Sequence, residues 1–209
     1  MSKSIITFFT LIISISLFAK SGKIVLNGQV ENHLGTTIKI THLNNRELVS
    51  AELDADGKFE MSTKLENGFY FLKYGRNTAY IYLYPKDKLS LVFDAKNFET
   101  SMVFKGQGSE RNNYLVKKSI VDAELTEDLE AFYKVDESTY LKNIDDVKMT
   151  HLALLSKYNV EPFFTSAETK SLEYERLLSI QNFKTSYKFY LGDDISPSDD
   201  FYKPLEVID

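Results

Sequence analysis

The sequence predicts an α+β protein in which an antiparallel β-sandwich is followed by a region of two to three helices. Short runs of alternating apolar and polar residues, typical of half-buried strands, recur about every 8 to 12 residues between positions 23 and 108. Turn-forming Gly, Asn, Asp and Pro residues separate these runs. After residue 108 the apolar spacing changes to that of amphipathic helices, over residues 109–191.

The composition is that of a folded protein and argues against several classes of function. The chain has 209 residues, 43% of them hydrophobic and 26% charged, with a formal net charge of -5. Nucleic-acid binding is not expected, because phosphate affinity depends on clustered Lys and Arg and the sequence has no basic stripe. The sequence contains no cysteine, so it carries no thiol nucleophile, disulfide or Cys-ligated zinc. We predict no cofactor, no metal site and no redox chemistry in these residues.

Residues 1–19 have the layout of a secretory signal peptide. Lys3 precedes an apolar-rich run over residues 5–19 that ends in the small residue Ala19. An uncleaved membrane anchor is the alternative, but the run is shorter than the roughly 20 residues that a spanning helix needs. We expect cleavage after Ala19, no membrane span after that cleavage, and export to the periplasm or cell envelope.

The clearest strand pair is predicted around Asp54-Ala55-Asp56-Gly57. Polar and apolar residues alternate over residues 58–65, and the Asp-Gly step supplies the positive φ of a tight turn. We therefore predict a hairpin across this turn. Because the other gaps are also short, neighbouring strands are expected to pair antiparallel. The predicted strands are 24–30, 36–43, 48–54, 58–65, 69–75, 79–84, 89–94 and 102–106.

Two of these strands are apolar or aromatic on both faces. They include residues 69–72 and 79–84, and they need cover on both sides of the sheet. Tyr80, Tyr82 and Tyr84 alternate along the second strand and form a ladder on one face. An exposed ladder would be a binding surface, because aromatic faces stack on sugars and hold peptides. A ladder beneath a helix would be part of the core.

The second half of the sequence offers candidates for this cover. Between residues 109 and 191, apolar residues fall into stripes at helical spacing. Thr165 and Glu168 have the spacing of a capping box and are predicted to begin the third helix, which Gly192 should end. Residues 192–209 are acidic and finish on an apolar cluster. We expect this tail to dock on an element outside the sequence or to lead into a further domain.

Two short motifs have part of the pattern of a ligand site. Asp54-Ala55-Asp56-Gly57 has half the pattern of a calcium loop, but strands rather than helices flank it, so a solvated turn fits better. Gly106-Gln107-Gly108 is similar to the start of a phosphate-binding motif, but Arg111 occupies the place of the third glycine. A strand-to-helix junction is the simpler interpretation of this second motif.

The three histidines are too dispersed in sequence to indicate a metal site or a Ser-His-acid triad. His42 is predicted to be a hydrogen-bonded structural histidine on the face of Ile38 and Ile40. His33 in a turn and His151 in a charged helix are predicted to be solvated. A hydrolase with two carboxylates converging in a cleft stays open as a third possibility, because sequence spacing does not show convergence.

The order of the parts resembles a known exported architecture. An export signal and the turn at residues 54–59 precede Tyr82-Leu83-Tyr84-Pro85-Lys86-Asp87, Leu89-Ser90-Leu91 and the segment KGQGSERNNYL at residues 105–115. Together they resemble the N-terminal domain, of uncharacterised function, that precedes the thioredoxin module of TlpA/ResA-type thiol-disulfide oxidoreductases in bacterial cell envelopes. The resemblance covers residues 23 to about 114 and the helices more loosely.

The resemblance implies a non-catalytic module that orients a redox domain or recognises its substrate. The implied partners are a thioredoxin-fold domain or an exported protein substrate. No catalytic residue of the family carries over, because the sequence contains no cysteine and no thioredoxin fold. The alternative is a stand-alone envelope protein that binds a glycan or peptide through Tyr80, Tyr82 and Tyr84.

Overall fold

The computed structural model describes residues 22–207, and the predicted signal peptide lies outside the described residues. The α+β prediction is confirmed by eight strands and six helices in this part of the chain. The strands are β1 Ile24–Glu31, β2 Thr37–Thr41, β3 Glu47–Glu52, β4 Lys58–Thr63, β5 Gly68–Tyr74, β6 Asn77–Leu83, β7 Lys88–Asp94 and β8 Val103–Gln107. The helices are α1 Phe98–Ser101, α2 Ser109–Leu125, α3 Leu129–Tyr133, α4 Glu137–Leu155, α5 Pro162–Leu191 and α6 Asp199–Tyr202, with a 3-10 turn at Lys203–Val207.

The strands form two four-stranded sheets. The first has the order β4-β1-β7-β8 and the second the order β3-β2-β5-β6. Sequence neighbours pair antiparallel in β2–β3, β5–β6 and β7–β8, but β1 pairs in parallel with β7. The expectation that all neighbouring strands pair antiparallel is therefore wrong at β1–β2, β3–β4, β4–β5 and β6–β7, where the chain passes between the sheets.

The predicted hairpin across Asp54-Ala55-Asp56-Gly57 is wrong, although its turn is present. The Asp54 carboxylate accepts hydrogen bonds from the backbone N of Asp56 at 2.9 Å and of Lys58 at 2.8 Å. Gly57 has a φ of 75°, and a Cβ there would lie 2.3 Å from the carbonyl oxygen of Val30. However, β3 pairs with β2 and β4 pairs with β1. Polar and apolar residues alternate along β4 because one of its faces is buried between the two sheets. A strand that pairs across a hairpin and a strand that crosses to the other sheet both show this alternation, so the pattern does not distinguish them.

The main core lies between the sheets. Alternate residues of each strand point inward, as the two-residue period of a strand requires, and the burial of their side chains is the main stabilising contribution of this part of the molecule. Fully or almost fully buried members are Ile24, Leu26, Val30, Ile38, Ile40, Leu72, Ile81, Leu83, Leu89, Leu91 and Phe93.

Helices cover the outer aromatic face of the second sheet, as the two-sided apolar pattern of β5 and β6 predicts. A second core combines side chains of β6 with those of α2, α4 and α5. Its buried members are Tyr82, Tyr114, Leu115, Leu154, Leu155 and Phe164. Within residues 22–207, no helix has both the length and the apolar character needed to cross a membrane.

Helix α5 begins three residues before the predicted capping box. Glu161 is the N-cap residue and Pro162 occupies the first turn, where its missing N–H costs nothing. The capping-box prediction is therefore wrong: Thr165 and Glu168 lie inside the helix, and Glu168 is fully buried. Gly192, with a φ of 77°, follows the helix as predicted.

The acidic tail packs against the helices of the same chain. Ser198 caps α6, and the Glu137 carboxylate accepts hydrogen bonds from its backbone N at 2.8 Å and its Oγ at 2.6 Å. Phe201 is buried in a third core, formed with α4 and α5. The other buried members of that core are Tyr140, Ile144, Ile180 and Phe183.

Candidate functional site

The glycine-rich segment forms a buried junction between the sandwich and α2. Gly108 precedes the helix with a φ of 97°, and a Cβ there would lie 2.5 Å from Nη2 of Arg111. Arg111 is 1% exposed and donates from Nη2 to Asp87 and from Nη1 to Glu161, both at 2.5 Å. The strand-to-helix interpretation of Gly106-Gln107-Gly108 is confirmed, because β8 ends and α2 begins there.

Asp87 is the other half of this junction. Its carboxylate also accepts from the backbone N of Tyr84 at 2.8 Å. Burial raises the pKa of Asp87, and the Arg111 guanidinium opposes that shift. The guanidinium also lies 5.8 Å from the ring centre of Tyr82 and 5.5 Å from that of Phe163. The charges of the junction are therefore compensated within the protein, which is typical of a structural ion pair.

Asn112 and Asn113, which follow Arg111 in α2, each bind the free edge of one sheet. Asn112 accepts a hydrogen bond from the backbone N of Tyr82 at 2.9 Å and donates to the carbonyls of Tyr82 and Gly108, both at 3.0 Å. Asn113 accepts from the backbone N of Phe104 at 2.8 Å and donates to its carbonyl at 2.9 Å. We call these two side chains the asparagine clamp. It satisfies edge groups of β6 and β8 that otherwise remain unpaired.

The tyrosine ladder is divided between core and surface. Tyr82 is 2% exposed and packs edge-on against Phe164 at 5.1 Å. Tyr84 is half-buried and stacks on Phe163 at 4.3 Å. Tyr80 is half-buried and borders solvent beside α5. Of the three residues predicted as a possible binding surface, Tyr82 lies in the second core and Tyr80 lines a groove.

That groove, which we call the Tyr80 groove, runs between β6, α3 and α5 and has a volume of about 470 Å³. Tyr174 is 60% exposed on its rim. Among the described residues, no lysine or arginine lines it. Its charged lining residue is Glu175, and the uncharged polar residues and tyrosines that line it are Tyr80, Tyr133, Tyr174, Ser171, Ser179, Asn182 and Ser186.

A charged cluster joins α2 and α5 beneath this groove. Lys118 donates to Glu168 at 3.0 Å and to both carboxylate oxygens of Glu175 at 2.9 Å. Tyr114 donates from its hydroxyl to Glu168 at 2.9 Å, and burial raises the pKa of Tyr114 far above its usual range. Burial lowers the pKa of Lys118, but the two carboxylates outweigh that effect, so this pKa is raised overall.

His151 is buried, so the prediction that it is solvated is wrong. It is 1% exposed, and its Nε2 lies 2.6 Å from Oδ1 of Asp122. The sequence contained a signal for this position. His151 follows Ile144 by seven residues and precedes Leu155 by four, which places all three on one face of a helix.

His42 is exposed, so its predicted place on the face of Ile38 and Ile40 is also wrong. β2 ends at Thr41, and the alternation that predicted the orientation of His42 ends with it. The Nδ1 atom of His42 accepts a hydrogen bond from the backbone N of Asn44 at 3.4 Å, within the turn.

The His151–Asp122 pair lacks the third member of a catalytic triad. Nδ1 of His151 has no hydrogen-bond partner among the described residues, so no hydroxyl is positioned there as a nucleophile. Within residues 22–207, no three His, Asp or Glu side chains are grouped so as to hold a metal ion.

Comparison with known proteins adds no assignment. No protein-family model matches the chain, and no curated protein matches it significantly. The resemblance to the N-terminal domain of TlpA/ResA-type proteins therefore stays a prediction, based on the residues quoted above.

Proposed function

We propose that this chain is the non-catalytic module of an exported TlpA/ResA-like thiol-disulfide oxidoreductase of the periplasm or cell envelope. In this role it positions a thioredoxin-fold domain or recognises an exported protein substrate. One observation carries the proposal: Asp87 and Arg111, from the two segments that resemble this family, meet in a single buried ion pair. Asp87 and Arg111 therefore fix how the helices join the sandwich, so the residues that carry the resemblance have a structural role rather than a catalytic one.

The chemistry of the junction is consistent with a module that does not itself catalyse the reaction. Arg111 is engaged by two carboxylates, and the asparagine clamp is engaged by backbone groups. The sequence contains no cysteine, so the thiol pair of such an enzyme has to come from another domain.

The proposal is tested by reading the gene beyond codon 209 and assaying insulin reduction. We expect an in-frame continuation into a thioredoxin fold with a C-x-x-C pair. The full gene product should reduce insulin, whereas residues 22–207 alone and a full-length control with both cysteines changed to serine should not. Turnover by the isolated segment, or a stop codon directly after Asp209, would contradict the proposal.

A second candidate function is favoured by the Tyr80 groove: a stand-alone envelope protein that binds a neutral glycan. Tyrosine rings stack on the apolar faces of sugars and also offer a hydroxyl. Ser171, Asn182 and Ser186 provide further hydroxyl and amide groups. Glu175 also lines the groove, but its carboxylate is paired with Lys118. No lysine or arginine among the described residues lines the groove to select an anionic ligand.

Glycan-array screening of residues 22–207 followed by calorimetry tests this second function. Tyr174→Ala should weaken glycan binding at least tenfold, because Tyr174 is exposed on the groove rim. Phe189→Ala is the matched control, since Phe189 is 79% exposed on the same helix and does not line the groove. Equal loss in both variants, or selective binding of peptides, would contradict the glycan assignment.

A further inference from the structure

A furrow separates α2 from the outer face of the second sheet. Its inner part is mostly apolar, has a volume of about 240 Å³ and lies between β5, β6, α1 and α2. Phe71 and Tyr80 form its floor on the sheet, with their ring centres 5.6 Å apart. Both rings are half-buried, so the furrow is open to solvent. The residues that line it from the side of the helices are Phe98, Glu99, Met102, Leu115, Val116 and Ser119.

The furrow continues into an outer part along α2, with a volume of about 340 Å³. Glu99 and Ser119 line both parts, so the two are continuous. The other residues that line the outer part are Thr100, Ile120, Ala123, Glu124 and Glu127. We call the two parts together the α2 furrow. Its size is that of a ligand site, for which roughly 300–1,000 Å³ is usual.

The sequence of α2 places this lining on one side of the helix. Val116, Ile120 and Glu124 follow one another at four-residue spacing, which keeps them on one face. Another face carries Tyr114 and Lys118, whose hydroxyl and ammonium groups donate to α5. Helix α2 therefore holds the helices together with one face and presents the other to the furrow.

The charges that line the α2 furrow are all negative. They are the carboxylates of Glu99, Glu124 and Glu127, and no lysine or arginine among the described residues lines either part. None of these three carboxylates forms an ion pair within residues 22–207. Lys73 lies 5.9 Å from the ring centre of Phe71, but it donates to Asn45 at 2.6 Å. The furrow therefore complements a ligand that carries cationic groups beside an apolar one.

We propose that the α2 furrow binds an extended peptide segment in which an apolar side chain and basic side chains lie a few residues apart. The apolar side chain packs on Phe71 and Tyr80, and arginine side chains pair with Glu124 and Glu127, since a guanidinium binds carboxylates through parallel hydrogen bonds. From Val116 to Glu124 the helix rises by about 12 Å, which is the length of about four residues of an extended chain. The inference deepens the proposed function, on whose substrate-recognition role it rests.

A set of short peptides tests the proposal. The reference peptide has a phenylalanine at one end and two arginines at the other, separated by serines and capped at both termini, and it is made in both chain directions. In one control citrulline, a neutral isostere, replaces the arginines, and in another alanine replaces the phenylalanine. Calorimetry with residues 20–209 should show one direction of the reference peptide binding roughly tenfold more tightly than each control. Equal affinity for the citrulline peptide, or no binding of the reference peptide at millimolar concentration, would overturn the proposal.

Matched variants separate the furrow from general electrostatic attraction. Glu124→Gln combined with Glu127→Gln should weaken binding of the reference peptide roughly tenfold. Glu60→Gln combined with Glu110→Gln removes the same charge at exposed positions that do not line the furrow, and should bind the peptide like the wild type. Ser119→Trp should fill the point where the two parts of the furrow meet and abolish binding. Thermal unfolding confirms that each variant is folded. Equal weakening in the two double variants would refute the assignment.

Failure of this site and failure of the proposed function give different results. An in-frame continuation with a C-x-x-C pair, without peptide binding, would remove only this inference. Peptide binding by a chain that stops directly after Asp209 would remove the proposed function and keep the furrow as a peptide site. Tyr174→Ala, on the rim of the Tyr80 groove, should leave the peptide affinity unchanged, and a loss in this variant would contradict the placement of the peptide in the α2 furrow.

Discussion

The two flanks of the sandwich are closed in different ways. On one flank, the turn at Asp54-Ala55-Asp56-Gly57 carries the chain directly from the edge strand β3 to the edge strand β4. On the other flank, the edge strands β6 and β8 are bridged by the asparagine clamp of α2. The first closure depends on residues within one turn. The second depends on side chains from a helix that follows both strands.

This difference explains why the closure at the turn can be predicted from a single sequence, whereas the closure by the asparagine clamp cannot. A tight turn is determined by a few neighbouring residues, so its chemistry is visible in the sequence. The clamp needs two asparagines to meet backbone groups of β6 and β8, and asparagine has no local preference that indicates such contacts. We therefore expect the clamp flank to contribute more stability per residue than the turn flank, and the following substitutions test this.

Arg111→Met should have the largest effect. It leaves the buried Asp87 carboxylate without its cation, and breaking a buried pair costs about 3–5 kcal/mol. Chemical denaturation measures the loss. Lys39→Met removes a cation from an exposed pair with Glu47 on the turn side of the molecule, where ion pairs contribute little. Adding Asp87→Asn to Arg111→Met should recover part of the stability, and no recovery would mean that packing rather than charge causes the loss.

Asn112→Leu should cause the next largest loss of stability. It leaves the N and carbonyl of Tyr82 without partners in a buried position, at about 1–3 kcal/mol for each group. We expect a loss of about 2–4 kcal/mol in urea unfolding. Asn113→Leu is the internal comparison, since its partner groups on Phe104 are only partly buried. A larger loss for Asn113→Leu would reverse the order that burial predicts.

Tyr114→Phe tests the contact between α2 and α5. It removes a hydrogen bond to the Glu168 carboxylate, and bonds to charged groups contribute about 1.5–3 kcal/mol. Its effect should depend on pH because burial raises the pKa of Tyr114.

The sign of that pH dependence follows from the direction of the shift. Above pH 10 or so the unfolded phenol loses its proton, while the folded phenol keeps it. The unfolded state then binds fewer protons, so wild-type stability falls as the pH rises. The stability difference between wild type and Tyr114→Phe should therefore narrow above about pH 10. A constant difference from pH 7 to pH 11 would contradict this explanation.

Asp54→Ala should have the smallest effect. It removes the two hydrogen bonds that the carboxylate accepts from Asp56 and Lys58. Because both are exposed, water replaces them, and we expect a loss of about 0.5–1.5 kcal/mol. Thermal denaturation of Asp54→Ala and of Asn112→Leu under the same conditions compares the stability that the turn and the clamp contribute. A loss equal to that of Asn112→Leu would remove the distinction.

The sequence predicted where the strands begin and end better than it predicted which strands pair with each other. Strand bounds agree within about two residues, because alternation is a local property of the chain. Pairing failed at β3–β4 because a half-buried strand has the same pattern whether it pairs across the turn or enters another sheet. Thr165 and Glu168 have capping-box spacing by coincidence, since Pro162 begins α5.

The candidate sites were predicted less completely. Tyr80 and Tyr82 lie on one strand, as predicted, but Tyr84 follows the end of β6. Only the packing of α5 decides that Tyr82 is buried and that Tyr80 borders the groove. The cavity beside His151 is lined by residues of α2, α3, α4 and α5, so it exists only when these four helices pack together. The apolar stripe of α4 marks the position of His151, but its pairing with Asp122 of α2 depends on how the two helices pack.

The parallel pairing of β1 with β7 has a consequence for how the molecule acquires its shape. Gly28 pairs with Phe59 on one side and with Leu91 on the other, so the first strand stays incomplete until much later residues are available. Closing so long a loop is slow, because its entropy is lost before its contacts form. A nascent chain will therefore display the apolar residues of β1 to its surroundings throughout most of the synthesis of the sandwich.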